Sequence, residues 1–561
     1  MTVSAIPPGL ILVLGALLLP LVRGSLRAAL LLGLPLVALA LTWQIPDGVT
    51  VSLFFLDYEL VPVRGSPLSR LFATVFALMA FVGALYGLYQ ARLVELVAAY
   101  VYAGGALGVT FAGDLLTVFI FWELMALGST LVIWTAQTRA SFRAGMRYLL
   151  VHLLGGVVLM LGILGHVSAT GSLAFEPMRL DSYAHWLMLA GFLVNSGAPP
   201  LSAWIPDAYP EASPSGTVFL SAFTTKTAVY VLLQGFPGAE VLLWVGLYMI
   251  FYGIIYALLE NDMRRILAYS IVNQVGFMVA GIGIGTEMAL NGAASHAFTH
   301  IIYKGLLLMS AGSVLFMTGK RKCSDLGGLF QSMPATTLCG IIGALSISAF
   351  PLTSGFVSKS MISQGAADEH LLLAYFLLAA GSAGVFLHAG IKFPWFVFFQ
   401  KDSGLRPPDP PANMRWAMYV FSFLCIGLGI YPDPLYAILP YPVEFVPYTT
   451  AHVVPQLQLL LFAGLAFFVL LPQMKRTLTI TLDLDWFYRR LGLMLATTAI
   501  AWLSAWRARL EARLVAHGLD LVRGVSRPEG AWSLLARGWP TGSMVLWVAV
   551  LLAVYLVVYY V

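Results

Sequence analysis

Three side chains able to carry a proton stand four residues apart in His296-Ala-Phe-Thr-His300-Ile-Ile-Tyr-Lys304, inside an otherwise apolar run. Residues at i and i+4 share one helix face, so two imidazoles and an ammonium form a single stripe. An ionisable side chain at membrane depth is costly and needs a compensating role. Histidine titrates near neutrality and relays a proton between its two ring nitrogens, which makes the stripe a segment of a proton path. Metal binding is the competing chemistry, but no carboxylate or third ligand lies nearby in sequence.

Other titratable residues sit within apolar stretches. Glu123 is at the middle of Phe119-Ile-Phe-Trp-Glu123-Leu-Met-Ala-Leu, and Lys226 lies in Ser221-Ala-Phe-Thr-Thr-Lys226-Thr-Ala-Val-Tyr230. A buried carboxylate and a buried lysine each restore the other's charged form when close, so the two read as a movable charge pair; a structural ion pair between helices is the plainer alternative. Lys359 follows Pro351. His388 and Lys392 repeat the four-residue spacing near a span end, where lysine reaches the headgroups, and they read equally as an exit or an anchor. His152, His166 and Arg147 are solitary or at span ends and read as packing residues. Asp114 reads as a helix N-cap.

The elements that position these residues follow from composition. Of 561 residues, 60% are hydrophobic and 10% charged, with a net charge of +5. Soluble domains carry about 25% charged residues, so the fold class is an all-α polytopic membrane protein. The basic residues cluster between apolar spans, which argues against nucleic acid. Cys323, Cys339 and Cys425 lack metal-ligand spacing and a disulfide framework, and no Gly-rich dinucleotide loop or Fe–S spacing occurs; no cofactor or metal is expected in this chain. The first apolar stretch lacks a basic leader and reads as a span rather than a cleaved signal.

A span needs about 20 apolar residues. Spans are expected near 9–22, 27–43, 69–89, 93–112, 114–135, 145–168, 185–203, 217–235, 239–259, 264–285, 288–316, 335–362, 372–400, 413–432 and 456–472, with a last one near 543–561. With the N-terminus outside, the inner connections hold Arg23 and Arg27; Arg139 and Arg143; Arg264 and Arg265; Lys320, Arg321 and Lys322; Lys401, Arg406 and Arg415; Lys475 and Arg476. The connection at 433–455 has neither Lys nor Arg, as the positive-inside rule requires of an outer loop. Prolines interrupt two spans, at Asn195-Ser-Gly-Ala-Pro199-Pro200 and at Pro351-Leu-Thr-Ser-Gly355. Each frees a helix carbonyl, which is tolerated only beside protein or water; paired broken helices point to a transport path at the midplane. Beyond residue 473 the helix expected from Trp502 to Leu521 carries Arg507, Arg509 and Arg513 and suits the inner membrane surface.

Together these segments resemble the antiporter-like subunits shared by respiratory complex I, membrane-bound hydrogenases and Mrp-type cation/proton antiporters. The likeness rests on Phe121-Trp-Glu123-Leu-Met125, Pro200 to Trp204 with Asp207-Ala-Tyr-Pro210, Thr225-Lys226-Thr-Ala-Val-Tyr230, Arg264-Arg265-Ile-Leu-Ala-Tyr269-Ser270, the His296/His300/Lys304 row and Gly355-Phe-Val-Ser358-Lys359. Phe223-Thr-Thr-Lys226 with Gly235-Phe-Pro-Gly238, and the segment from Leu387 to Phe399, are most similar to the D-type chain of the Mrp antiporters.

The resemblance implies about fourteen core helices with two inverted five-helix repeats, at 93–259 and 260–400. These would be flanked by N-terminal helices in 1–92, C-terminal helices in 401–472, and an amphipathic helix with a final span in 473–561. It implies a proton path through Glu123, Lys226, His296, His300, Lys304 and Lys359; Lys392, read from its own spacing, is a further candidate for the path. It also implies a lysine on the first broken helix; read at the double proline, that place holds Asn195, and Ser202 stands where a histidine is usual. Lys226 or water would then partner Glu123, or the first half-channel would be weakened, or the site would take a cation such as Na+.

The function expected is that of a proton-translocating subunit in a multisubunit Na+ or K+/proton antiporter of the bacterial inner membrane. Its partners would be other membrane subunits, protons, monovalent cations and the lipid bilayer. The alternatives are a pumping subunit of a complex I-like or hydrogenase enzyme, and a proton-conducting subunit of an inorganic carbon uptake complex.

Overall fold

The computed structural model describes residues 6–473, 483–526 and 540–560; Lys475 and Arg476 lie outside them. The first helices are α1 (Pro8–Leu18) and α2 (Gly24–Thr42). A β-hairpin follows, β1 (Gly48–Phe55) pairing antiparallel with β2 (Tyr58–Gly65). Then come α3 (Pro67–Gly87), α4 (Leu93–Phe111), α5 (Leu115–Trp134), α6 (Arg139–Thr170), α7 (Tyr183–Ser196) and the short α8 (Trp204–Ala208). The middle of the chain forms α9 (Pro214–Leu220), α10 (Thr224–Gly235), α11 (Val241–Leu259), α12 (Met263–Ile284) and α13 (Glu287–Thr318). Next are α14 (Pro334–Ile347), α15 (Ser354–Asp368), α16 (Leu372–Val385), α17 (Ala412–Ile430), α18 (Asp433–Tyr436) and α19 (Thr450–Leu470).

Among the described residues, fourteen helical runs are long and apolar enough to cross a membrane, so the chain is a multi-pass membrane protein. The first compact unit extends to Asp485. The second contains α20 (Gly492–Ser526) and α21 (Thr541–Tyr560). α20 is longer than the helix expected at 502–521, because Gly492 to Ala501 continues it without a breaker.

Helix α13 is the axis of the first unit. It runs 32 residues, roughly 48 Å at 1.5 Å per residue, and is buried from Ala289 to Val314. Helices α3, α9, α10, α12, α14, α15 and α17 all pack on it. An ionisable stripe can be held here because protein, not lipid, surrounds it. Small residues allow the closest approaches: a Cβ at Gly246 would stand 2.3 Å from the Ala280 amide nitrogen, which brings the α11 and α12 backbones together.

One stretch outside the expected spans takes a form of its own, and one expectation about the elements needs correction. The stretch 44–66 is a hairpin, tied down by Asp114, which caps α5 at the Thr117 amide (2.8 Å) and also accepts from the Val61 amide at 2.7 Å. The first broken helix is not at the double proline. There α7 simply ends at Ser196, with Gly197 left-handed at φ 79°. The break lies instead between α9 and α10, at Ser221–Phe223, which reads as continuous in the sequence because it contains neither proline nor glycine. Side chains from elsewhere make good the missing backbone bonds: the Thr224 amide donates to Tyr102 Oη at 2.8 Å, and the Ser221 carbonyl accepts from Lys226 Nζ at 2.6 Å. The second break, between α14 and α15, is where the proline pattern puts it.

Candidate functional site: a row of buried lysines and histidines

Each break holds one lysine against the end of the preceding half-helix. Lys226 Nζ donates to the Ser221 carbonyl (2.6 Å) and to Thr225 Oγ1 (3.1 Å). Lys359 Nζ donates to the Ile347 carbonyl at 2.7 Å and lies 4.8 Å from the Phe277 ring centre. A helix C-terminus carries partial negative charge and unpaired carbonyls, so each ammonium is met by dipoles rather than by a carboxylate. The second break is strained: Ala349 (φ 55°) and Leu352 (φ 70°) are left-handed without being glycine. It is also tight, for a Cβ on Gly355 would fall 1.8 Å from the Ser346 carbonyl oxygen.

Between the two breaks runs the stripe of α13. His296, His300 and Lys304 are all fully buried. Lys304 Nζ donates to Ser270 Oγ (2.9 Å) on α12. The His296 ring bridges two helices, with Nδ1 3.0 Å from Ser358 Oγ on α15 and Nε2 3.2 Å from Gln274 Oε1 on α12. Tyr303 Oη donates to the same Gln274 oxygen at 3.0 Å. The rings of His296 and His300 stack at 6.2 Å, and His300 meets Tyr303 at 5.2 Å. Neither ring nitrogen of His300 has a protein partner among the described residues, and α10, which carries Lys226, packs on α13. The structure thus brings five of the expected site residues into one buried row.

Two expected members fall outside it. Glu123 forms no pair with Lys226, which turns back towards Ser221. The carboxylate faces α6: a Cβ on Gly156 would lie 2.0 Å from Oε1, and Oε1 has no protein partner among the described residues. With Phe119, Leu153, Val157, Met160 and Leu161 it lines a groove of about 330 Å³ on the flank of α5 and α6. Lys392 donates to three carbonyls at the end of α11, those of Ala257 (3.0 Å), Leu258 (2.6 Å) and Glu260 (2.6 Å). Its ammonium is therefore buried against a helix end and does not reach the headgroups.

Asn195 also changes meaning. The lysine that stands on the first broken helix is Lys226, and Asn195 belongs to α7, where its Oδ1 is buried without a protein partner among the described residues. Arg147 forms a bidentate pair with Asp207, both contacts at 2.7 Å, in keeping with its reading as a packing residue. The three cysteines are free and buried, and among the described residues no group of His, Cys, Asp and Glu is arranged to hold a metal ion.

Several residues of the site carry little signal in the sequence. Tyr303, seven residues from His296 on the same face, is the one that spacing alone could have found. Ser270, Gln274 and Ser358 are ordinary polar residues, and only the packing of α12 and α15 on α13 brings them to the stripe. Outside the spans, Arg321 ties the loops at the basic end, pairing with Glu211 (2.8 Å) and Asp262 (2.5 Å).

Comparison with known proteins bears on the family and the fold. Residues 112–387, which contain the whole row, match the model of the NADH:quinone oxidoreductase/Mrp antiporter transmembrane family. The chain is 30% identical over 355 residues to the N subunit of the NADH-quinone oxidoreductase of Desulforudis audaxviator, covering 58% of this chain and 71% of that protein. It is 27% identical over 424 residues to the D subunit of the Na(+)/H(+) antiporter of Alkalihalophilus pseudofirmus, covering 70% and 83%. Its match to the A/B subunit of a probable K(+)/H(+) antiporter of Rhizobium meliloti is 28% identical over 356 residues, 59% of this chain, and spans 36% of that protein's length. A solved archaeal structure, that of the membrane-bound sulfane sulfur reductase, contains a chain of the same fold, with a TM-score of 0.72 at 23% identity and coverage of 98% and 99%. The row of buried bases lies within a recurring type of membrane subunit, and the chain belongs to the NADH:quinone oxidoreductase/Mrp antiporter transmembrane family.

Proposed function

We propose that this chain is the proton-translocating subunit of a multisubunit monovalent cation/proton antiporter. The observation that carries the reading is the set Lys226, His296, His300, Lys304 and Lys359, all buried in the bundle, four of them with hydroxyl, amide or carbonyl partners. A base held by a carboxylate is pinned in its charged form, whereas one held by a carbonyl can release its proton and accept it back. Lys226 and Lys359 would be the terminal members of the row and the α13 histidines its relay. The recurrence of a lysine-capped break in α9/α10 and α14/α15 supports two repeats of opposite orientation at 93–259 and 260–400. Glu123, on the flank of α5 and α6, would exchange protons with a neighbouring subunit rather than with Lys226. The similarity to the D subunit of a sodium/proton antiporter, over most of that protein's length, supports the choice of complex.

The similarity to the N subunit of a quinone oxidoreductase favours a second reading, a pumping subunit in a redox-driven complex. One experiment separates them. The complete gene cluster is expressed in antiporter-deficient cells, and everted vesicles are energised and challenged with Na+, K+ and Li+. Cation-induced collapse of the pH gradient, lost in Lys304→Ala, supports antiport. Proton pumping that needs an electron donor and ignores added cation supports the second reading. Undiminished transport in both Lys304→Ala and Lys359→Ala would refute both.

A further inference from the structure

A buried lysine that gives up its proton needs an acceptor closer to water. A cavity of about 210 Å³ opens beside Lys359 and is lined in part by Ser360, Ser363, Gln364, His452 and Gln456. Liquid water takes up ~30 Å³ per molecule, so several fit between the ammonium and the imidazole. The cavity runs between α15, α16 and α19, at the end of the bundle where the connections 369–371 and 431–449 contain no Lys or Arg. That charge pattern marks the outer side. His452 stands at the mouth, partly exposed, beside the exposed Thr450 and Ala451.

The ring is placed to load and unload a proton. Its Nε2 lies 3.0 Å from Gln364 Oε1, and Gln364 Nε2 donates to Asp368 Oδ1 at 2.7 Å, which turns the amide oxygen towards the imidazole. Its Nδ1 meets two groups, the Thr449 hydroxyl at 3.0 Å and the Pro447 carbonyl at 3.2 Å. Nε2–H therefore donates to Gln364 in either charge state. Nδ1 accepts from the Thr449 hydroxyl when the ring is neutral and donates to the Pro447 carbonyl when it is charged. No movement of the ring is needed. Two other buried histidines differ: His152 and His388 each place Nδ1 on the carbonyl four residues back, at 2.9 and 2.8 Å, and leave Nε2 without a protein partner among the described residues.

We propose that His452 is the outer-face proton acceptor, taking the proton that Lys359 releases through the cavity and passing it to bulk water. This rests on the reading of Lys359 as a terminal member of the path. The Nζ–H bond breaks and water carries the proton on; the Thr449 hydroxyl takes it and gives its own proton to Nδ1, leaving a neutral amine and an imidazolium, which then deprotonates to solvent. The charged and titratable groups around the transfer are Lys359 and Tyr375 lining the cavity and Asp368 behind Gln364.

The test compares His452→Ala, His452→Gln and Lys359→Ala in the complete complex, with transport measured per assembled complex. His452→Ala should slow transport by about hundredfold or more, as loss of one positioned proton carrier does. Millimolar imidazole should restore the alanine variant but not Lys359→Ala. His452→Gln, which keeps a hydrogen bond but carries no proton, should be as slow as the alanine variant. A normal rate in His452→Ala or His452→Gln, or failure of imidazole to rescue, overturns the proposal. In those cases a dead Lys359→Ala leaves the larger reading standing, while a normal Lys359→Ala removes that as well.

Discussion

Lys226→Met tests the row with the least disturbance to the bundle, since methionine fills nearly the same volume and carries no charge. The ammonium makes two hydrogen bonds, to the Ser221 carbonyl and Thr225 Oγ1. Bonds from a charged donor contribute about 1.5–3 kcal/mol each, so their loss costs about 3–6 kcal/mol. The substitution also removes a fully buried charge, whose effective desolvation penalty is itself several kcal/mol. The two effects are of similar size and opposite sign. Stability of the assembled complex should therefore shift by less than about 2 kcal/mol, read as detergent melting temperature and yield. Transport should fall by at least about hundredfold, the lower end of what one proton-transfer group contributes. The assay is proton-coupled transport in vesicles, normalised to assembled complex. Normal transport with normal assembly would refute the argument, because it would show that the ammonium at the first break only caps a helix.

Lys392→Met should have the reverse profile: three carbonyls at the end of α11 lose their donor, so melting temperature falls while transport per assembled complex stays within about twofold; a selective transport defect would restore the exit reading. Gly355→Ala should cost about 1–3 kcal/mol, the usual penalty for overpacking, because its Cβ would meet the Ser346 carbonyl oxygen; unchanged melting and transport would show that the second break is slack. Lys359→Arg should assemble like the parent and transport at least about tenfold more slowly, since a guanidinium keeps its proton at any working pH; parental rates would mean the position needs charge and not titration.

How far the sequence is legible depends on whether the signal is local. The stripe of α13 is visible because a four-residue spacing is a property of a single helix, and Asp114 because capping is settled within three residues. The second break announces itself through Pro351. The first does not: Ser221-Ala-Phe223 has no breaker residue, and the acceptor that meets the Thr224 amide at the interruption comes from Tyr102, 122 residues away in sequence. The double proline at 199–200 misleads for the complementary reason, since proline marks the end of a helix as readily as a kink within one. Charge alone pairs Glu123 with Lys226, and which face of α5 the carboxylate occupies is decided by packing against α6. His452 stays hidden because its partners come from Gln364 on another helix and from the turn before α19.

The recurrence of lysine at both breaks has a physical logic that arginine would not serve. A helix that stops at mid-bilayer leaves carbonyls unpaired, and a donor must meet them. Serine or asparagine would do so without charge, and arginine with a charge it never loses. Lysine satisfies the carbonyl when protonated and, as a neutral amine, still donates an N–H to it, so the break holds in both states while the charge comes and goes. The carbonyl is what permits this. A carboxylate in the same place would bind the ammonium tightly and penalise the neutral amine, raising the barrier to release. On the proposed path, the carbonyl partners of Lys226 and Lys359 leave each lysine able to release its proton, and Glu123 stands apart on the flank of the bundle without leaving the row incomplete.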